Sequence, residues 1–260
     1  MTIDEAADRA AADRNLADAF DVVRLHLADP RGGRRRFRAV EAIATGHELA
    51  FYNPVLALDP SSAAADVLAA VAWVESLGLA TAVHLQSGLD PSIRAELEEG
   101  GFVADDEGGE VMALSPIPTG LPPPPPPDAR LRAGGSELAA DWYAALEGGD
   151  RFQRTFHAGL LDDPHVRIAV ADVAGEPVAA AAAIGSGDTL GIYAVGTLEH
   201  ARRRGYGRAV TWTAIEAGVL AWGSTRAILQ SSEMGVAMYR SMGFESIATI
   251  AIFKRRTPED

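Results

Sequence analysis

Six consecutive prolines, Pro122–Pro127, interrupt the chain near its middle. Proline fixes φ and has no backbone N–H, so such a run cannot continue a helix or a central strand. It favours a stiff polyproline II rod, about 19 Å long at roughly 3.1 Å per residue. We therefore predict a linker at 121–128 between an N-terminal α/β unit, 1–120, and a C-terminal domain, 129–260. The alternative is a docking motif for an SH3-like partner.

Apolar segments with strand and helix periodicity alternate on both sides of the prolines. After a charged helix at about 3–27, the first half shows strand, helix, strand, helix, strand at 48–58, 62–76, 81–86, 91–99 and 110–114. The second half begins with helices at 136–146 and 150–161 and a hairpin at 166–184. It ends with the same five-element order at 189–195, 207–220, 226–230, 235–242 and 246–253. The shared order predicts two copies of one architecture.

The formal charge of −13 lies mostly in the first half, where residues 1–121 carry a net −11. A field of this sign repels phosphate backbones and favours cationic partners. We expect no nucleic-acid partner. The arginine-rich run 31–38 is interpreted as a solvated surface loop, with anion or nucleic-acid binding as the alternative.

Composition excludes several other classes. The hydrophobic content of 48% is sufficient for a packed core, and the absence of cysteine excludes disulfides, thiolate metal sites and a cysteine nucleophile. We predict no metal site. The N-terminus lacks the apolar segment of a signal peptide, and no run of about 18 apolar residues occurs, so we expect a cytoplasmic protein with no membrane association.

One segment combines a strand end, two glycines and the start of a long helix. It runs from Ala194 to Ala209 and contains three successive arginines before Gly205 and Gly207. Glycines allow the backbone to curl closely around a ligand, so that successive N–H groups at a helix N-terminus point at one anion. A phosphate group is the ligand that fits such a turn.

Other phosphate-binding motifs do not match this segment. A Walker loop ends in Gly-Lys-Ser/Thr, but the chain's one lysine is Lys254. A dinucleotide fingerprint requires a third glycine or alanine where Val210 stands. The pattern Arg202-x-x-Gly205-x-Gly207 instead resembles the pyrophosphate loop of the GCN5-related N-acetyltransferase (GNAT) superfamily. Val195-x-Thr197, just before it, resembles the strand end of many members.

A second motif near the C-terminus supports this resemblance. Tyr239, three variable residues, Gly243 and Phe244 resemble the end of a helix in that superfamily, about 34 residues after Gly205. The resemblance covers about residues 130–254. It implies an α/β fold with a mixed, mostly antiparallel sheet flanked by helices. The first half lacks the glycine motif and resembles a degenerate copy that has lost cofactor binding and braces the second half or shapes its acceptor pocket.

The resemblance also implies an activity, transfer of an acetyl group from acetyl-CoA to a primary amine of a small molecule or a protein. Tyr239 would be the general acid for the departing sulfur, with packing against Phe244 as the alternative. The amide near Val195 would polarise the thioester carbonyl. The cofactor-binding residues implied are Val195, Gly196, Thr197, Arg202, Arg203, Arg204, Gly205, Tyr206, Gly207 and Arg208.

Several functional details stay open at this stage. The candidate general bases, none of them singled out by a motif, are His157, His165, Asp188, Glu199, His200 and Glu233. Many relatives carry asparagine where this chain has Ser231-Ser232-Glu233. The acceptor side would include the helices around Trp142, Tyr143, Phe152 and Phe156, and those aromatic residues are alternatively core. A homo-oligomer is left open, and a non-catalytic acyl-CoA-binding or interaction protein is the alternative function.

Overall fold

The computed structural model describes residues 4–120, 122–148 and 153–256. The strands in this part of the chain are β1 Gly33–Phe37, β2 Val40–Ala44, β3 Pro54–Ala57, β4 Ala82–Gln86, β5 Phe102–Leu114, β6 Ala129–Gly134, β7 Val166–Val173, β8 Glu176–Ser186, β9 Thr189–Thr197, β10 Arg226–Ser231 and β11 Glu245–Arg255. The α-helices are α1 Glu5–Leu27, α2 Ala64–Ser76, α3 Pro91–Glu99, α4 Ala139–Ala144, α5 Ala158–Leu161, α6 Tyr206–Trp222 and α7 Glu233–Ser241.

The described residues form two compact units. The C-terminal unit takes those within 1–15, 112–230 and 234–245. The N-terminal unit takes those within 16–111, 231–233 and 246–260. Each unit is mixed α/β with a mostly antiparallel sheet and flanking helices, as the sequence predicts.

In the C-terminal unit the strand order is β10-β9-β8-β7-β6. Strands β10 and β9 are parallel, and the other neighbours are antiparallel. Helix α6 packs against β7, β8 and β9, and α4 packs against β8. The centre of β8 is a run of fully buried alanines, Ala179–Ala183, whose small side chains let the helices approach the sheet closely. A Cβ placed on Gly218 of α6 would lie only 2.8 Å from Leu190 Cδ2.

In the N-terminal unit the strand order is β1-β2-β3-β4-β11-β5. Strands β3 and β4 are parallel and are connected through α2, whereas β11 pairs antiparallel with β4. The core lies between the sheet and α2, where Val67, Val71 and Val74 recur at helical spacing and are buried against the strands. The last strand of the chain is therefore an interior strand of this unit.

The predicted repeat is present in the element order. The series β3, α2, β4, α3, β5 corresponds to β9, α6, β10, α7, β11, and in both series the first two strands are parallel. Helix bounds agree with the sequence patterns to within a few residues because the apolar periodicity of the segments is strong. The sequence patterns did not indicate strands β1, β2 and β6. The predicted helix at 150–161 begins outside the described residues, and its described end is α5.

The units differ from the predicted domains of 1–120 and 129–260. The prolines 122–127 belong to the C-terminal unit and do not separate the two units, whereas β11 belongs to the N-terminal unit. The physical reason is strand pairing. Strand β11 pairs with β4 of the N-terminal unit, with Lys254 opposite Ala82 at one end of the pairing and Ile250 opposite Gln86 at the other. A composition break in the sequence marks a stiff segment, but it does not reveal which strands pair.

The arginine-rich run forms structure that the sequence did not predict. Residues 33–37 are strand β1, which pairs with β2. The guanidinium of Arg34 contacts the carboxylates of Glu41, Asp18 and Asp21 at 2.6, 3.0 and 3.4 Å. The surface-loop interpretation is therefore wrong for β1, where Arg34 is paired with three carboxylates and Arg36 donates to Arg38 O. No helix of the described chain is long and apolar enough to cross a membrane.

Candidate acyl-CoA site

Strand β9 separates from its parallel neighbour before it ends. The pairing of β9 with β10 stops at Ile192 and Leu229. On its other side, β9 shifts register against β8, so that Ala194 and Val195 together stand opposite Ala181. Ala194 has φ +48°, a left-handed conformation that alanine seldom adopts. A bulge of this kind bends the strand and leaves backbone groups unpaired, which opens a gap beside Val195.

The glycine loop, residues 202–208, lies between β9 and the body of α6. Gly205 has φ +88° and Arg203 has φ +62°, so two left-handed residues turn the chain into the helix. The first backbone hydrogen bond of α6 joins Ala209 N to Gly205 O at 3.0 Å. The N–H groups that precede Ala209 in this turn consequently lack intrahelical acceptors. Such a helix N-terminus, with its partial positive charge, is an anion-binding site.

The glycine loop lies against the end of β9. A Cβ placed on Gly207 would be 3.0 Å from Thr197 Oγ1 and 3.6 Å from Met238 Sδ. A side chain at position 207 would therefore require the Thr197 side chain to shift by a few tenths of an ångström, and glycine avoids this contact.

The predicted arginines have different positions. Arg202 donates to Thr197 O at 3.1 Å and to Glu147 Oε1 at 2.7 Å, so its guanidinium ties the glycine loop to β9 and to the segment after α4. Arg203 and Arg204 are exposed, and Arg208 is half-buried. The positive side chains around the loop's amides are therefore those of Arg203, Arg204 and Arg208, while Arg202 is occupied within the fold.

Tyr206 turns its side chain into the protein. The residue is buried, and its hydroxyl donates to Asp128 Oδ2 at 2.7 Å. The hydrogen bond to this carboxylate raises the pKa of Tyr206, and the guanidinium of Arg204 opposes the shift. The sequence pattern predicted only a backbone role for this residue.

Tyr239 lies on α7, adjacent to Met238, which approaches Gly207. It is 7% exposed, and its ring meets that of Phe244 at a centroid distance of 5.8 Å. Burial raises the pKa of Tyr239 to about 12, so the phenol retains its proton at neutral pH. The structure thus brings the two sequence motifs together in one unit, with the tyrosine protonated.

The candidate bases are scattered. Asp188 precedes β9, at the end away from the bulge, and contacts Arg226 at 3.4 Å. His165 contacts Asp163 next to the start of β7. His200 is exposed and lies 3.6 Å from Glu176. Glu199 is exposed, His157 caps α5, and Glu233 belongs to the N-terminal unit.

The aromatic residues proposed for the acceptor side form part of the core. Trp142 is fully buried and donates from its indole nitrogen to Ala181 O at 2.9 Å. The hydroxyl of Tyr143 donates to Phe156 O. The ring centroids of Trp142 and Phe156 are 5.4 Å apart with the ring planes tilted by 53°, whereas Phe152 lies outside the described residues. The core interpretation, which the sequence left as an alternative, holds for Trp142.

The matching strand–helix turn in the N-terminal unit is built differently. Gln86 Nε2 donates to Leu58 O at 2.7 Å, so a side chain bridges β3 and β4 beyond their last paired residues. In the turn, Asp59 Oδ1 accepts from the amide and the hydroxyl of Ser61, and these bonds lower the pKa of Asp59. This turn already holds a carboxylate and has no glycine.

Comparison with known proteins gives a family match within the C-terminal half. Residues 136–244 match the family model of the acetyltransferase (GNAT) family. No curated protein matches the sequence. Among solved structures, a GCN5-related N-acetyltransferase from Kribbella flavida is similar over 94% of this chain and 96% of its own, with a TM-score of 0.69 and 19% identity.

Two further structures are similar over most of both chains. A GCN5-related N-acetyltransferase from Sphaerobacter thermophilus covers 84% of this chain and 78% of its own, with a TM-score of 0.59 and 14% identity. A tandem GNAT protein from the clavulanic acid biosynthesis pathway covers 82% and 77%, with a TM-score of 0.55 and 14% identity. The likeness extends over both halves, which is consistent with a degenerate N-terminal copy. The match to the acetyltransferase (GNAT) family model therefore covers residues 136–244, and the solved structures show that the chain has the GNAT fold.

Proposed function

We propose that the protein is an N-acetyltransferase that transfers the acetyl group of acetyl-CoA to a primary amine. The observation that carries this proposal is the glycine loop, whose successive amides lack intrahelical acceptors next to the split between β9 and β10. The residues fit the cosubstrate, because the amides and the exposed Arg203 and Arg204 suit a pyrophosphate while the gap beside Val195 suits an extended arm.

Acetyl-CoA, when bound, supplies the acetyl group as a thioester. In the proposed mechanism, the amide near Val195 donates to the thioester oxygen, where negative charge develops as an amine attacks. Tyr239 donates its phenolic proton to the departing sulfur. Its raised pKa keeps that proton in place before the reaction. As the amide forms, the attacking nitrogen loses one proton to a general base or to solvent water.

The acceptor would be cationic in solution. A net charge of −13 favours amines in their protonated form. We propose that the N-terminal unit supports the catalytic unit and binds no cofactor of its own, because Asp59 and Gln86 occupy the positions where the turn would open. A cytoplasmic location stays a prediction.

The first test is isothermal titration of acetyl-CoA into the purified protein. We expect micromolar binding that is abolished in Gly205→Glu and Gly207→Glu, because each variant places a carboxylate at the anion site. Gly88→Glu is the matched control, since Gly88 has a similar φ of +82° in the N-terminal unit with open space around it. No binding by the parent protein would contradict the proposal.

A non-catalytic acyl-CoA-binding protein is the second candidate. It is favoured by the positions of three candidate bases, none of which lies beside the bulge of β9. Asp188 lies at the opposite end of β9, His165 is paired with Asp163 at the start of β7, and His200 is exposed beside Glu176. Binding of acetyl-CoA without turnover across a panel of primary amines would favour this candidate, and release of CoA thiol with any amine would exclude it.

A further inference from the structure

Tyr206 is connected through its hydroxyl to a segment distant in sequence. It is the first residue of α6, is 2% exposed and belongs to the hydrophobic core of the C-terminal unit. Its hydroxyl donates to Asp128, 78 residues earlier in the chain. A hydrogen bond to a carboxylate is shorter and stronger than one between neutral groups. The same hydroxyl also bonds to Arg204 of the glycine loop, so Tyr206 connects this loop to Asp128 and anchors the start of α6.

The proline run supports the same loop from a second side. A Cβ placed on Gly205 would lie 3.5 Å from Pro126 Cγ, so the proline ring is in van der Waals reach of the left-handed glycine. Pro126 O accepts from Ala129 N at 3.0 Å, which holds Asp128 in a turn. Each proline fixes its own φ angle, so this segment is rigid. Because prolines have no N–H, the segment offers no backbone donor that would compete with the loop's amides for an anion.

The glycine loop requires such support. Arg203 at φ +62° has a conformation that costs energy for a residue with a Cβ, and strain of this kind persists only where surrounding contacts impose it. Asp128 cannot act by attracting the ligand, because its negative charge would repel an anion. We expect it to act through the residues it positions, which are Tyr206 and, through the shared hydroxyl, Arg204.

We propose that Tyr206 is a positioning residue for acetyl-CoA, a role that rests on the proposed function. The bond from its hydroxyl to Asp128 fixes the first turn of α6, so that the amides of the glycine loop converge on the pyrophosphate. Pro126, near the end of the proline run, is then a neighbour of the cosubstrate site, and the run is not a spacer between domains.

The test measures the Kd of acetyl-CoA by titration, and KM and kcat with any amine that is accepted. Tyr206→Phe retains the ring and loses the hydroxyl, and we expect Kd and KM to rise about tenfold while kcat stays within about twofold. Asp128→Leu should have the same effect, and combining the two should add nothing further. Asp128→Asn retains an acceptor oxygen and should restore most of the affinity. Tyr52→Phe, a buried tyrosine of the N-terminal unit, is the matched control.

The outcomes separate the two proposals. A parent protein that binds no acetyl-CoA contradicts the proposed function, and this inference falls with it. A parent that binds, with Tyr206→Phe binding equally well, contradicts this inference alone. Thermal unfolding identifies variants that weaken the whole unit, and equal losses in Asp128→Asn and Asp128→Leu would also overturn the positioning role.

Discussion

At the residue scale, the protonated phenol of Tyr239 is the group that the proposed mechanism uses as its general acid. We expect Tyr239→Phe to lower kcat by about 10²–10⁴-fold while leaving the Kd of acetyl-CoA unchanged, because the ring still packs against Phe244. Because burial raises the pKa of Tyr239 to about 12, ionisation of this group should not reduce the parent's kcat below about pH 11. Steady-state kinetics across pH test both points. A kcat within twofold of the parent would leave Tyr239 as a packing residue.

His84 should make stability depend on pH. It is fully buried on β4, its ring lies 5.6 Å from that of Phe20, and neither ring nitrogen has a hydrogen-bond partner in the described part of the chain. Burial, assisted by Lys254, lowers its pKa from 6.5 to about 3. The unfolded chain therefore binds a proton below about pH 6.5 while the folded chain does not, and stability falls as the pH decreases.

Between pH 7 and pH 5 the protonation of His84 in the unfolded chain should lower the free energy of unfolding by about 2 kcal/mol. Each pH unit below the unfolded pKa contributes about 1.36 kcal/mol. Urea unfolding of His84→Leu should show a pH dependence that is shallower by that amount. The control is His200→Asn, which changes an exposed histidine and should keep the parent's slope. If the free energy of unfolding depends on pH equally in the parent and in His84→Leu, the lowered pKa of His84 is contradicted.

At the residue scale, the turn before α6 could be predicted because its requirements are local. Gly205 has a left-handed φ and Gly207 lies close to Thr197, and a motif of a few residues records both features, while their role in binding acetyl-CoA stays a prediction. Asp128 and Glu147 could not be found in this way. Each is brought to the loop by tertiary packing, and no local pattern connects Asp128 with Tyr206.

At the scale of elements, the first half of α1 belongs to the C-terminal unit and is held there by a buried asparagine. Asn15 donates to Ile184 O on β8 at 2.9 Å, and its Oδ1 accepts from the hydroxyl of Tyr193 on β9 at 2.7 Å. A Cβ placed on Gly191 would lie 2.0 Å from that oxygen, so the helix sits directly on the strand. A single side chain thus joins one helix to two strands.

We expect Asn15→Leu to cost about 2 kcal/mol of unfolding free energy, because it leaves a buried carbonyl and a tyrosine hydroxyl without their partner. Urea denaturation measures the loss. Arg14→Ala alters the exposed neighbour and should stay within about 0.5 kcal/mol of the parent. An Asn15→Leu variant as stable as the parent would show that water satisfies both groups.

Element types could be predicted because periodicity and glycine stops are local properties. The sequence placed α2, α3, α6, β7 and β9 within a few residues of their bounds. It missed β1, whose Gly-Arg-Arg-Arg-Phe sequence has no apolar alternation and is stable as a strand through Arg34 and its three carboxylates. Tertiary ion pairing outweighed the local pattern there.

At the scale of the whole molecule, the position of β11 decides which fragments can fold. In the order of the N-terminal unit it lies between β4 and β5, and Ile247, Ile250, Ile252 and Phe253 are buried. A fragment of residues 129–260 would carry this apolar strand without β4. We expect it to aggregate on expression, as judged by size-exclusion chromatography and circular dichroism.

The converse fragment, residues 1–120, would lack the strand between β4 and β5. We expect it to aggregate also, and we expect residues 246–256 appended through a flexible linker to restore a soluble, cooperatively unfolding species. The same fragment with a scrambled appended segment is the control. A soluble, folded 129–260 fragment would instead support the domain boundary that the proline run suggested.

The pairing of β11 with β4 also has a consequence for synthesis on the ribosome. Chains usually fold from the N-terminus as they emerge, one domain after another. Here the sheet of the N-terminal unit cannot be completed until residues 246–255 have been translated, whereas all residues of the C-terminal unit precede residue 246. The unit that begins later in the chain can therefore be completed first. A nascent chain that stalls before residue 246 should leave β4 without its partner strand and be a substrate for chaperones.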